Sequence, residues 1–153
     1  MTNAKLYGTV ACSVLSVSIT LFAEAAWAEW QFVGGEGSYY AFISDGGFVE
    51  GSYRNGMTLF CPDDGRNICD FRVLIDGQTP QPPVVVSFEF PSGKVVTRLA
   101  EAPGGIRPVV GWEEELQSSL MSESQVTVSI DDGPSHTFTL DGSASAIRQA
   151  MNP

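Results

Sequence analysis

The sequence predicts a mainly β fold: an antiparallel β-sandwich or small barrel with two short helices and one disulfide-closed hairpin loop. Three observations predict it. Short apolar-alternating runs recur between turns rich in Gly and Pro, two cysteines flank a turn-forming loop, and only two stretches switch to helical spacing.

The N-terminus fixes the compartment in which those cysteines are read. The chain opens MTNAKLYGTVACSVLSVSITLFAEAAWAEW, with Lys5 the only charge before an apolar run from Leu6 to Ala23. Ala26-Trp27-Ala28 has the A-x-A form of a signal-peptidase site. Residues 1–28 are therefore expected to be a signal peptide, and 29–153 a single β-rich domain. Ser13, Ser16, Ser18 and Thr20 dilute the run and Glu24 ends it, which argues against a retained membrane anchor. Cys12 leaves with the signal. The product is expected to be periplasmic or secreted, with no stable membrane insertion after cleavage. Cleavage takes 28 of 153 residues and leaves 125, enough for one domain with a real core.

Lys5 and Glu24 leave together, so the net charge of −10 is unchanged. A chain this acidic, without a basic cluster, is a poor fit to nucleic acid or to anionic membrane surfaces. The expected partner is a protein, a basic one being favoured by charge. The oligomeric state is left open.

The elements follow in order. "SYYAFI" (38–43) reads as a strand, "SDGG" as a turn and "FVEGSYR" (48–54) as a second strand. Asn55-Gly56 then reads as a hairpin turn, because both residues accept positive φ. "MTLFC" and "ICDFRVLI" are strands on either side of "PDDGRN", a run of turn formers. Cys61 and Cys69 would close the base of that loop. Zinc would want four good ligands, and the only histidine, His136, is distant in sequence. The spacing is not C-x-x-C, so a redox site of that kind is not indicated. In an exported chain the pair reads as a disulfide staple.

"PPVVVSFEF" and "KVVTRLAE", joined by "PSG", make another hairpin, with Val84, Val86, Phe88 and Phe90 on one face. "QVTVSI", "DDGPS" and "HTFTL" make a third, with Val126, Val128 and Ile130 facing the core. "GWEEELQSSLM" places Trp112, Leu116 and Leu120 on one side of a helix, with Glu113, Glu114 and Glu115 in its first turn. "LDGSASAIRQAM" offers Asp141 or Ser143 as an N-cap, then Ala146, Ile147, Ala150 and Met151 as an apolar stripe. "GGEG" (34–37), "DGQTPQPP" (76–83) and "EAPGGIRP" (101–108) read as the loose segments.

The closing stretch "VTVSIDDGPSHTFTLDGSASAIRQAM", a strand pair that steps through glycine and small residues into a terminal helix, resembles the invasion-associated locus B family of exported bacterial proteins. Trp30, soon after the cleavage site, is placed similarly. The resemblance implies a periplasmic or secreted β-rich domain, linked in some bacteria to host-cell invasion and assigned no enzymatic mechanism. It carries no catalytic residues. The chain departs from the family pattern in having no cysteine between Trp30 and Cys61.

The residues themselves offer little to catalysis. His136 alternates onto the face of Phe138 and Leu140 and reads as a strand-end residue beside the core. No nucleophile motif accompanies it. Glu113, Glu114 and Glu115 are consecutive on a helix, so they point apart and form no paired-carboxylate site. Asp63, Asp64, Asn67 and Asp70 carry oxygens that calcium accepts, but their spacing is not that of an EF-hand, and a polar hairpin tip is the better reading. No cofactor motif and no metal site is called for. Tyr39, Tyr40, Phe42, Phe48 and Tyr53 read first as rings packed in the sheet and second as a contact surface.

The function expected is therefore that of an exported, non-enzymatic binding or accessory protein. The alternative is an acidic inhibitor or immunity-like protein directed against a basic cell-wall hydrolase. The expected contact residues are Asp63, Asp64 and Arg66 in the stapled loop, with Tyr39 and Tyr53.

Overall fold

A computed structural model describes residues 29–45, 54–64, 68–102 and 108–153. Among these described residues, nine strands and two helices are laid out in chain order. The strands are β1 (Gln31–Gly35), β2 (Ser38–Asp45), β3 (Asn55–Pro62), β4 (Asp70–Leu74), β5 (Val85–Glu89), β6 (Val95–Glu101) and β7 (Val109–Val110). Helix α1 (Glu114–Ser122) follows, then β8 (Gln125–Ile130), β9 (Ser135–Thr139) and helix α2 (Ser143–Met151). The mainly β expectation, with two short helices, holds.

All strand pairs are antiparallel, in the order β1-β2-β3-β4-β7-β6-β5-β8-β9. The seam is β7, which pairs with β4 only at Phe71–Val110 and with β6 at two positions. There the sheet folds back on itself. Phe71 on β4 and Phe88 on β5 are three strands apart in the order, yet their ring centroids lie 6.1 Å apart. The result is sandwich-like and does not close into a barrel. The Trp30 amide, just before β1, donates to the Asp141 carbonyl just after β9 at 3.0 Å, so the two ends of the sheet meet at one backbone bond.

The core follows the alternation of the sequence. Val86, Phe88 and Phe90 face in from β5, and Val126, Val128 and Ile130 from β8. Leu116 and Leu120 of α1 are fully buried, as is Ile147 of α2. Arg98 on β6, 13% exposed, reaches Glu113 at 3.2 Å and Glu115 at 3.3 Å, which clamps the β5–β6 hairpin to the start of α1.

Four local readings need correction. Asn55-Gly56 is not a turn: both residues lie in β3, opposite Asp45 and Ser44 of β2. The turn chemistry sits elsewhere, at Asp76-Gly77, where both residues have positive φ (51° and 73°) inside the Ile75–Gln78 bridge. Residues 76–78 are therefore a defined turn and not a loose segment. The Asn55 side chain serves that turn, its Oδ1 accepting the Asp76 amide at 2.7 Å. "FVEGSYR" falls mostly outside the described residues, and β2 pairs with β3 in its place.

"GGEG" is likewise ordered: Gly34 and Gly35 belong to β1, and Glu36-Gly37 form the two-residue link to β2. Finally, neither Asp141 nor Ser143 caps α2. Gly142 does, at φ 78°, without a side-chain bond. A Cβ there would meet the Trp30 carbonyl oxygen at 3.1 Å, so the position is closed to side chains by strain and by space. Ser143 is buried and its Oγ donates to the Leu120 carbonyl at 2.7 Å, satisfying an acceptor at the end of α1.

Candidate binding groove beside the stapled loop

Register builds the candidate site. In the β2–β3 hairpin, Tyr39 stands directly opposite Cys61 and Ser38 opposite Pro62. Opposite residues share a face, so Tyr39 is placed next to the sulfur of Cys61 by strand pairing alone. One step beyond the last β3–β4 pair, Phe60–Asp70, the Cys61–Cys69 disulfide closes the loop. The staple read from the sequence is present. Asp63, past the end of β3, donates its amide to the Gly37 carbonyl at 3.0 Å, which ties the loop to the β1–β2 turn.

The rest of the site comes from the other end of the chain. Helix α2 packs across β1, β2 and β3. Its buried stripe is Ala146, Ile147 and Ala150, so its last turn arrives beside the disulfide. Between them lies a groove of about 280 Å³ lined by Tyr39, the disulfide, Asp63, Ile68 and Met151, with Asn152 and Pro153 at one side. Phe32 of β1 stacks on Tyr39 at 6.3 Å with planes 10° apart, which limits the ring's freedom. Ile68 is 65% exposed at the rim. No Lys or Arg lines the groove among the described residues.

Of the expected contact residues, Tyr39 and Asp63 come together here, and Asp64 is exposed beside them. Arg66 and Tyr53 lie outside the described residues. Sequence reasoning missed Ile68, Met151 and the terminal residues. Strand alternation gave no signal for Ile68, since it would place that residue on the outer face with Asp70 and Arg72 and not in the groove. Nothing in the linear sequence links residues 150–153 to the cysteines.

Other surfaces differ in kind. On the outer face of the sheet, Val33, Tyr40 and Phe60 are successive cross-strand partners, with Val33 49% and Tyr40 37% exposed. Tyr40 and Phe60 rings are 5.0 Å apart, and the Arg72 guanidinium lies 5.8 Å over Phe60. The two rings of Tyr39 and Tyr40 thus divide between the faces as alternation requires. At the opposite end of the hairpin a polar cleft of about 430 Å³ gathers Asp45, Arg54, Asn55, Asp76 and His136. His136 Nε2 is 3.2 Å from Asp45 Oδ2, and its ring meets Phe138 edge-on at 4.7 Å. The same-face reading of His136 and Phe138 holds. Among the described residues no three His, Cys, Asp or Glu side chains gather to hold a metal ion. Nor is any helix among them long and apolar enough to cross a membrane.

No protein-family model matches the sequence, and no curated protein matches it. Among solved structures, the crystal structure of invasion associated protein B from Bartonella henselae is similar, with a TM-score of 0.53 and 14% identity over 82% of this chain and 93% of that one. At that identity the likeness is one of fold, and it extends well beyond the closing segment that suggested it.

Proposed function

We propose that this chain is an exported accessory protein of the bacterial envelope that works by contact and performs no turnover. The observation that carries the reading is the fold shared with a protein named as invasion associated, over 93% of that protein's length. Two features support it. A disulfide suits an oxidising compartment outside the cytoplasm. The groove beside it is held on three sides by the disulfide, a stacked ring and a helix end, so little ordering is left to oppose binding. His136 is occupied by Asp45 and Phe138 and is given no chemical role.

The test is capture on immobilised residues 29–153 from envelope extract and host-cell lysate, with salt-gradient elution and identification of what is held. Each captured protein is then purified and titrated against the free domain. Saturable binding to an envelope or host-surface protein, surviving into high salt, is the expected result. A basic cell-wall hydrolase eluting early and losing activity on mixing would replace this reading with that of an acidic inhibitor. Turnover of any substrate that disappears in His136→Ala would overturn the non-enzymatic assignment.

A further inference from the structure

We infer that the groove beside the disulfide receives a single lysine or arginine side chain of the partner; the inference rests on the contact reading above and names what that contact holds. Size comes first. Small-molecule sites span roughly 300–1,000 Å³, and a groove of about 280 Å³ falls just below that range. It has room for one long side chain.

The walls then select which side chain. The disulfide, Ile68 and Met151 give the groove apolar lining, and the exposed Asp63 is the acidic residue among those that line it. Long cationic side chains match that arrangement, because they lay a hydrocarbon stem on apolar surface and keep the charged head at a polar edge. Tyr39 adds an aromatic wall whose ring attracts a cation. A glutamate would meet Asp63 with like charge. The wider field agrees, since the chain carries a net charge of −10.

The rim is also fixed in place. Asp63 is anchored through its amide to Gly37 and is two residues from the disulfide. Its side chain is therefore carried on tied backbone, which lowers the ordering cost of using it.

Three labelled peptides of identical length, with Lys, norleucine or Glu at one central position in an otherwise neutral sequence, separate the possibilities when titrated against residues 29–153. The lysine peptide is expected to bind at least about tenfold more tightly than the glutamate one, since opposite and like charges beside Asp63 act in opposite directions. Asp63→Asn is expected to remove most of that preference. Ile68→Ser is expected to weaken the lysine and norleucine peptides alike. Asp132→Asn, on the exposed β8–β9 turn, is the control and is expected to change neither. Equal losses in Asp63→Asn and Asp132→Asn would mean diffuse charge attraction and overturn the inference. So would equal binding of all three peptides, or none by any. A captured envelope protein that binds Ile68→Ser and Asp63→Asn as well as the parent, but fails with Tyr40→Ala, would overturn the groove inference while leaving the contact function standing.

Discussion

The two ends of the β2–β3 hairpin are held by different forces. At the Pro62 end sit a covalent bond, a stacked pair of rings and the last turn of α2. At the Asp45 end sit a side-chain-to-backbone hydrogen bond, one ion pair whose members are largely exposed, and a polar contact between His136 and Asp45. The strands between them are eight residues long, a separation of about 23 Å at the usual rise per residue. The contrast teaches how one hairpin can serve two purposes. Covalent and apolar contacts hold the groove end whatever the salt, as a preorganised binding surface needs. Polar contacts at the other end specify geometry, above all the Asp76-Gly77 turn, and add modestly to stability.

The largest effect that would break the comparison is removal of the staple. Replacing Cys61 and Cys69 together with Ala is expected to cost about 2 to 3 kcal/mol, the chain-entropy value for so short a loop. Urea denaturation of parent and variant measures it directly. A loss below about 0.5 kcal/mol would be no more than an ordinary surface substitution costs, and the groove end would then owe its order to α2 alone. At the other end, Asn55→Ala is expected to cost about 1 to 2 kcal/mol, because it leaves the part-buried Asp76 amide without its acceptor. Asn55→Asp sharpens the point: the acceptor is kept, but a charge is placed at a buried position near Asp45 and Asp76. If Asn55→Asp is the milder of the two, the hydrogen bond matters more than the charge.

Asn55 also marks where the sequence could be read and where it could not. The hairpins of β5–β6 and β8–β9 were legible because their alternation is regular and their turns are rich in Gly, Pro and Asp. The staple was legible because compartment and spacing agree on it. Asn-Gly failed because the signal is local: it says that both residues tolerate positive φ, not that the chain asks it of them. The chain asks it of Asp76-Gly77, and Asn55 is in β3 because its side chain caps that turn from another strand. That error concealed the site as well. With β2 paired to the wrong segment, Tyr39 could not be seen opposite Cys61. The contribution of α2 to the groove was not legible at all, since it depends on how a helix lies across three strands. The α2 cap misled for a similar reason. Asp141 and Ser143 are good capping residues by type, but Asp141 gives its carbonyl to Trp30 and Ser143 gives its hydroxyl to Leu120, and only glycine fits between them.

The smallest effects belong to the exposed side-chain contacts of the polar end. Arg54 and Asp76 approach to 2.7 Å, but their side chains are 76% and 51% exposed, so water screens most of the attraction. Arg54→Ala is expected to change stability by no more than about 0.5 kcal/mol. The Arg54 carbonyl still accepts the Gly77 amide at 2.7 Å, so the backbone clasp on the turn survives the loss of the side chain. His136→Gln, which removes the Asp45 contact while keeping a polar group on β9, is expected to cost a similarly small amount. The decisive form of the test is the double variant measured at low salt and at about 1 M salt, where the screening length falls to about 3 Å. If these contacts only trim the polar end, the small difference between parent and variant shrinks further in salt. If instead the double variant loses more than about 2 kcal/mol at low salt, well above what exposed pairs supply, then the Asp45 end carries stability that its exposure does not suggest. The division of the hairpin into a held end and a specified end would then be wrong.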